Sequence, residues 1–430
     1  NRFKLPPKQR FEELFHIVEQ VYPSICLIKN KFLERQVPES LLRRNALQSA
    51  IQMTGQLIMG YKQVFQQDYD APSNISRKAW LQRINSTGMY LLELIHLTQF
   101  LLAMRYQRLS PALWRDSNQI LFALQGITEL DTPHLRLHDT FAASTDSLCK
   151  TNTLQHIYIL IQLFEVGGVV NWPCKHMGLF DRYLDRQKPA LSLMPDTNPN
   201  QELAKHTLFI SVTHSNSATR QRLNVADTAD TLLLDIASLL KQIHQDCAQL
   251  SNANSDSRPK IGLLAHLGAE SARLLLTKLA QQMGDHQRQH ERTYVGRQPL
   301  VAVTSGWDNS HTMLLLQPPP PPQTAQSDSL LGQQAITNEW FLIDDSLGGC
   351  HFFTRETTHT PILRIGQLIL YTTAVGTHPQ LAKIERIVRV GEAEIEAGLS
   401  KIPGQPIATT LKGFNPTDAN AECVAIVCTG

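Results

Sequence analysis

The spacing of apolar residues changes once along this chain, at about residue 286, and a chain that changes period must change architecture. From residue 11 to about 285 the apolar side chains recur at helical spacing. Phe11, Leu14, Phe15, Val18 and Val21 form one stripe, and Leu47, Ala50, Ile51, Ile58, Tyr61 and Phe65 form another. A third run, residues 76–106, carries Trp80, Leu81, Ile84, Leu91, Leu92, Ile95 and Leu102. Ser110 followed by Pro111 reads as an N-cap with proline at the first helical position, opening a helix through Trp114, Ile120, Leu121 and Leu124. Further stripes predict helices at about 153–165, 228–250 and 264–284, whereas residues 207–213 have strand character. Polar and proline-containing breaks fall at 195–199 and 251–255. Residues 1–285 are expected to form a helical region, with a break near 190–200 dividing it into two subdomains.

Beyond residue 286 the signal becomes short alternating or β-branched runs at 300–304, 312–316, 339–344, 350–354, 367–372, 382–390, 394–400 and 423–428. Strands at such intervals build a small antiparallel barrel or a sandwich, and spacing alone does not separate the two. The unbroken run Pro318 to Pro322 cannot pair in a sheet, so residues 317–337 are expected as an inserted loop of polyproline character. The fold class expected is α+β and multidomain: a helical N-terminal region over 1–285, then a small antiparallel barrel over 286–430.

Composition limits what such a chain does. Of 430 residues, 42% are hydrophobic and 18% charged, enough to bury a core. Lys and Arg number 40 against 38 Asp and Glu, a balance of +2 that argues against a nucleic-acid binder. No apolar run reaches the roughly 18 to 20 residues of a membrane helix. Asn1 is not an initiator Met, and Lys4, Lys8 and Arg10 precede an amphipathic stretch in place of a signal-peptide core, so a cytoplasmic fragment is expected. Seven widely spread cysteines without a CxxC pair read as free thiols.

Phosphate-loop, dinucleotide-binding, zinc-protease and serine-hydrolase signatures are all missing, and no nucleophile has an identifiable base beside it, so no enzymatic activity is expected. His134 and His138 stand four apart but read as an ordinary helix start after Pro133 without further metal ligands. Arg182 and Arg186 read as a solvated helical face. Two constellations in the strand-rich part are more informative. Arg288 and Arg292 place two guanidinium forks four residues apart, between the last long helix and the first strand; such forks grip phosphate or a guanine edge and stack on purines. Further on, Asp344, Asp345 and Ser346 leave an apolar strand and are closed by Gly348 and Gly349. A carboxylate there can accept from guanine N1–H and N2–H₂, and glycine permits close backbone approach, although the same residues are also ordinary turn chemistry.

In this order the residues resemble the PilZ family, bacterial receptor domains for cyclic di-GMP, whose hallmarks are RxxxR at the domain's entrance and [D/N]xSxxG at the end of an early strand. Arg288 and Arg292 match the first hallmark, and Asp344, Ser346 and Gly349 the second. Gly366 before a strand, Ile387 and Arg389 within one, and 394–399 are also family-like. The resemblance covers about residues 286–405, with residues 317–337 accounting for the long gap between the hallmarks. It is narrowest to long bacterial proteins in which a helical region precedes a C-terminal PilZ domain.

The resemblance implies a cyclic di-GMP receptor that signals through its helical region to a protein partner, in control of pilus-based motility or biofilm formation. Cyclic di-GMP would be bound by Arg288, Arg292, Asp344, Ser346 and Gly349, with Arg297, Asp345 and Gly348 as further contacts, and with no cofactor. The competing expectation is a ligand-independent adaptor whose barrel is only an interaction module.

Overall fold

The computed structural model describes residues 5–32, 40–70, 76–135, 137, 151–187, 191–196, 206–211, 216–219, 231–251, 267–284, 293–306, 310, 313–314, 340–357, 360, 363–373, 378–412 and 422–429. The chain divides into two compact units. Asn1–Leu33, Leu41–Val170 and Cys174–His286 make the first, and Gln287–Gly430, with Glu34–Ser40 and Asn171–Pro173, the second.

The first unit is built on α1 (Pro7–Lys31), α2 (Leu41–Asp70), α3 (Arg77–Ala103) and α4 (Pro111–Gln125), followed by α5 (Leu154–Val166) and α6 (Cys174–Gln187). The starts follow from local chemistry. Ser76, Ser110 and Thr153 each accept, through the side-chain oxygen, a hydrogen bond from the backbone N–H three residues on, satisfying a donor that the first helical turn leaves free. The third helix is the hub. Ile84, Met89, Leu91, Leu92, Leu94, Ile95 and Leu101 are all buried, and so are the polar Glu93, His96 and Gln99, so the helix is enclosed by neighbours around its circumference. At Gly88 a Cβ would lie 2.5 Å from Leu124 Cδ1, which is why this helix and α4 approach so closely.

Several buried charged and polar groups in this unit are paired. Asp68, fully buried, accepts from Arg83 through both carboxylate oxygens, one bond being Nε to Oδ2 at 2.6 Å. The Glu93 carboxylate accepts from Leu137 N at 2.6 Å. His96 Nε2 lies 2.7 Å from Asp181 Oδ1, tying α3 to α6. Tyr183 donates to Asp246 at 2.7 Å, and burial together with that carboxylate pushes its phenol well above the usual range.

Between the early helices and the barrel the sequence reading needs correction. His134 and Leu135 are not helical: they form β1 (His134–Leu135), which pairs with β2 (Thr151–Asn152); Leu137 is helical, and Arg136 and His138 lie outside the described residues. The proline-containing break near 195 includes a strand, β3 (Leu193–Pro195), in a three-stranded antiparallel sheet with β5 (Thr231–Asp235) and β4 (Thr207–Ser211). The stripe at 228–250 is therefore two elements: a strand of fully apolar Leu232–Leu234, then α7 (Ala237–Ser251), which packs on α8 (Ala269–Met283). A continuous apolar run serves a buried strand as readily as a helix.

In the second unit β6 (Thr293–Ser305), β7 (Trp340–Asp345), β8 (Gly349–Arg355), β9 (Leu368–Thr373), β10 (Gln380–Arg389) and β11 (Glu394–Lys401) pair antiparallel in a ring, in the order β6–β7–β8–β11–β10–β9 and back. Inward positions alternate along each strand: Trp340 and Leu342, Phe352, Ile369 and Tyr371, Ile395, Ala397 and Leu399 are buried. Phe352 and Tyr371 meet edge to face at 4.8 Å. The family-like Arg389 is buried in a two-bond ion pair with Glu356, so its role here is structural. A two-stranded ribbon follows, β12 (Gln405–Lys412) with β13 (Glu422–Thr429). Of the strand expected at 312–316, Met313 and Leu314 are helical; the proline run lies outside the described residues. Among the described residues no helix is long and apolar enough to cross a membrane.

Candidate functional site

The acid–hydroxyl–glycine corner sits where β7 turns into β8. Ser346 closes this turn on Gly349: its N–H donates to the Gly349 carbonyl at 2.9 Å, and its hydroxyl donates to that carbonyl at 2.8 Å and accepts from Gly349 N–H at 3.1 Å. Gly349 is required by packing. A Cβ there would lie 2.4 Å from the Leu399 carbonyl oxygen, closer than the pairing of β8 with β11 allows. Leu347, at the tip, is 88% exposed, and the Gly348 carbonyl accepts from Lys401 N–H at 3.1 Å.

The strand register carries this corner onto the outward face of the barrel. Tyr294 on β6 opposes Asp344 on β7, Asp344 opposes His351 on β8, His351 opposes Gly398 on β11, and Gly398 opposes Arg386 on β10. Directly opposed residues share a face, so these form one row across five strands. His351 lies between two carboxylates: Nδ1 is 3.4 Å from Asp344 Oδ2 and Nε2 is 3.2 Å from Glu396 Oε2, the latter at an angle unsuited to a hydrogen bond. The Arg386 side chain lies across Gly398, where a Cβ would meet its Nε at 3.4 Å. Asp345 forms an ion pair with Lys401, Nζ to Oδ1 at 2.6 Å.

A bulge in β6 adds a cation to the same face. Pairing with β7 advances four residues on β6, from Tyr294 to Gln298, but only two on β7, from Asp344 to Leu342. The surplus is absorbed at Gly296, whose φ of +76° suits a residue without Cβ. Arg297, inside the bulge, is thereby aimed over the ring of Phe353, with its guanidinium carbon 4.5 Å from the ring centre. Phe353 neighbours the inward Phe352 and so points outward; Arg297 is its lid.

Asp344, Asp345, Ser346, Gly348 and Gly349 are thus brought together, and Arg297 is on the face that Asp344 also occupies. Arg288 and Arg292 lie outside the described residues. Sequence reasoning missed Tyr294, His351, Phe353, Arg386 and Glu396. Alternation alone marks them as outward positions, but their convergence depends on a register set by irregularities at 294–298, 342–344 and 384–386. The row and the Arg297–Phe353 stack on the same face offer hydrogen-bond acceptors, a guanidinium over an aromatic ring, and an exposed phenol, which suits a ligand with donor edges, π faces and anionic groups. In the helical unit, a cleft of about 370 Å³ is lined by Lys62, Phe65, Tyr69, Asp116 and Ile120, and its principal charges are already joined by a Lys62–Asp116 ion pair of 2.6 Å.

Among known protein families, residues 1–197 match the model of the N-terminal domain of the cyclic-di-GMP receptor FimW. The matched stretch runs from α1 to β3, all but residues 34–40 and 171–173 of it in the helical unit. No curated protein matches the chain.

Proposed function

We propose that this protein is a receptor for cyclic di-GMP that binds the dinucleotide on the outward face of a PilZ-like barrel and passes the signal to a protein partner through its helical region. The observation that carries this reading is that Asp344, which leads into the Ser346–Gly349 turn, and Arg297 stand on the same outward face. The likeness of residues 1–197 to the N-terminal domain of a cyclic-di-GMP receptor supports it independently. Recognition involves no bond-making and no cofactor. The Asp344 carboxylate accepts from a guanine's N1–H and N2–H₂, while Arg288 and Arg292, on the connector into β6, pair with phosphate and with the Hoogsteen edge. Engagement of an anion by these arginines is the step that a partner reads. The resemblance points the output towards pilus-based motility or biofilm formation in the cytoplasm.

Titration calorimetry of the full chain with cyclic di-GMP tests this. Micromolar or tighter binding, lost in Arg288→Ala/Arg292→Ala without loss of fold, is expected; no heat from a folded wild-type protein overturns the reading. One observation favours the adaptor reading: Ser346 and Gly349 are fully accounted for by the turn and by packing against Leu399. An adaptor gives no heat with the dinucleotide.

A further inference from the structure

We infer that Tyr294 is a base-stacking platform, on which one guanine of the ligand lies flat with its Watson–Crick edge turned to Asp344. The inference rests on the receptor reading above and adds to it a residue outside both sequence hallmarks. A singly exposed tyrosine is unremarkable in itself. Position gives this one meaning. Tyr294 is 74% exposed and stands directly across from Asp344, the carboxylate that reads the base. Directly opposed side chains have Cβ atoms roughly 4.5–5.5 Å apart, about the offset between the centre of a stacked purine and an acceptor at its edge.

The surroundings leave room for a flat ligand. Next but one along the strand is Gly296, and a Cβ built there would meet nothing within 4 Å, so the bulge beside the ring is open. Arg297, in the same bulge, lies over Phe353. Beyond Asp344 along the strand, Leu347, 88% exposed, is a second apolar surface at the tip of the turn. An open aromatic face, a carboxylate in register and space beside them supply both elements that purine recognition needs: π contact for affinity and an acceptor for identity.

Stacking on an aromatic residue is lost on truncation and kept by another ring. Calorimetry with cyclic di-GMP on the full chain should therefore show Tyr294→Ala binding roughly fivefold to a hundredfold more weakly than wild type. Tyr294→Phe and Tyr294→Trp should stay within about threefold, since each keeps a π face. Because Tyr294 is exposed, the thermal midpoint of Tyr294→Ala should match wild type, separating lost stacking from lost fold. Wild-type affinity in Tyr294→Ala, or equal weakening in the Phe and Trp variants, overturns the inference and leaves the receptor reading standing. Failure of the wild-type protein to bind cyclic di-GMP overturns both.

Discussion

The guanidinium of Arg297 lies over the ring of Phe353 with its carbon 4.5 Å from the ring centre, across the gap opened by the bulge in β6. The contact holds a flat cation in one place on the outward face, with one side against the phenyl ring and the other free to take a base. Its strength at an exposed site is about 0.5–1 kcal/mol, so positioning is the larger consequence.

Arg297→Ala is predicted to destabilise the barrel by about 1 kcal/mol or less, read from urea unfolding. The same change should weaken cyclic di-GMP binding roughly tenfold, because a fork or stacking contact to a base is worth about 1–3 kcal/mol. Arg297→Lys should restore little of that affinity, since ammonium has no planar face.

Gly349→Ala separates fold from ligand chemistry. The added Cβ would sit 2.4 Å from the Leu399 carbonyl, so β8 and β11 must shift. A loss of about 1–3 kcal/mol in denaturant stability is expected before any ligand is added. An alanine variant as stable as wild type would show that the strands yield freely there.

In the helical unit, Arg83→Ala strands the fully buried Asp68 carboxylate and should cost about 3–5 kcal/mol. Arg83→Ala/Asp68→Asn should recover part of that loss, because no uncompensated charge remains. Thermal unfolding of the two variants side by side tests the pair.

Acid should weaken the helical unit through His176. Burial, with Lys175 and Lys278 nearby, lowers His176 from its ordinary range to about 4. Between about pH 6.5 and 4 the unfolded chain binds a proton there that the folded chain does not, so stability falls as pH falls through that window. His176→Gln should flatten this part of the stability profile measured by denaturant titration; an unchanged slope would remove His176 as its source.

Helices were the most legible part of the sequence, because Ser76, Ser110 and Thr153 mark their starts and a long 3.6 period needs no partner to be recognised. Leu232–Leu234 was harder: three consecutive leucines carry no period, and only their pairing with β3 and β4 makes them a strand. At the site, the corner residues could be named because they are contiguous in the chain. Tyr294, His351 and Arg386 could not, since 57 residues separate Tyr294 from His351 and the irregularities at 294–298, 342–344 and 384–386 decide which side chains share a face. Glycine at 349 was read as room for a ligand, whereas its first duty is to let β8 approach Leu399.

Hydrogen exchange of the full chain with and without cyclic di-GMP tests most directly where the dinucleotide sits. Protection gained by the connector carrying Arg288 and Arg292, by the start of β6 around Tyr294, and by the turn from Asp344 to His351 is the predicted result. Protection confined to the helical unit, for instance around the cleft lined by Lys62 and Asp116, would contradict the barrel-face site.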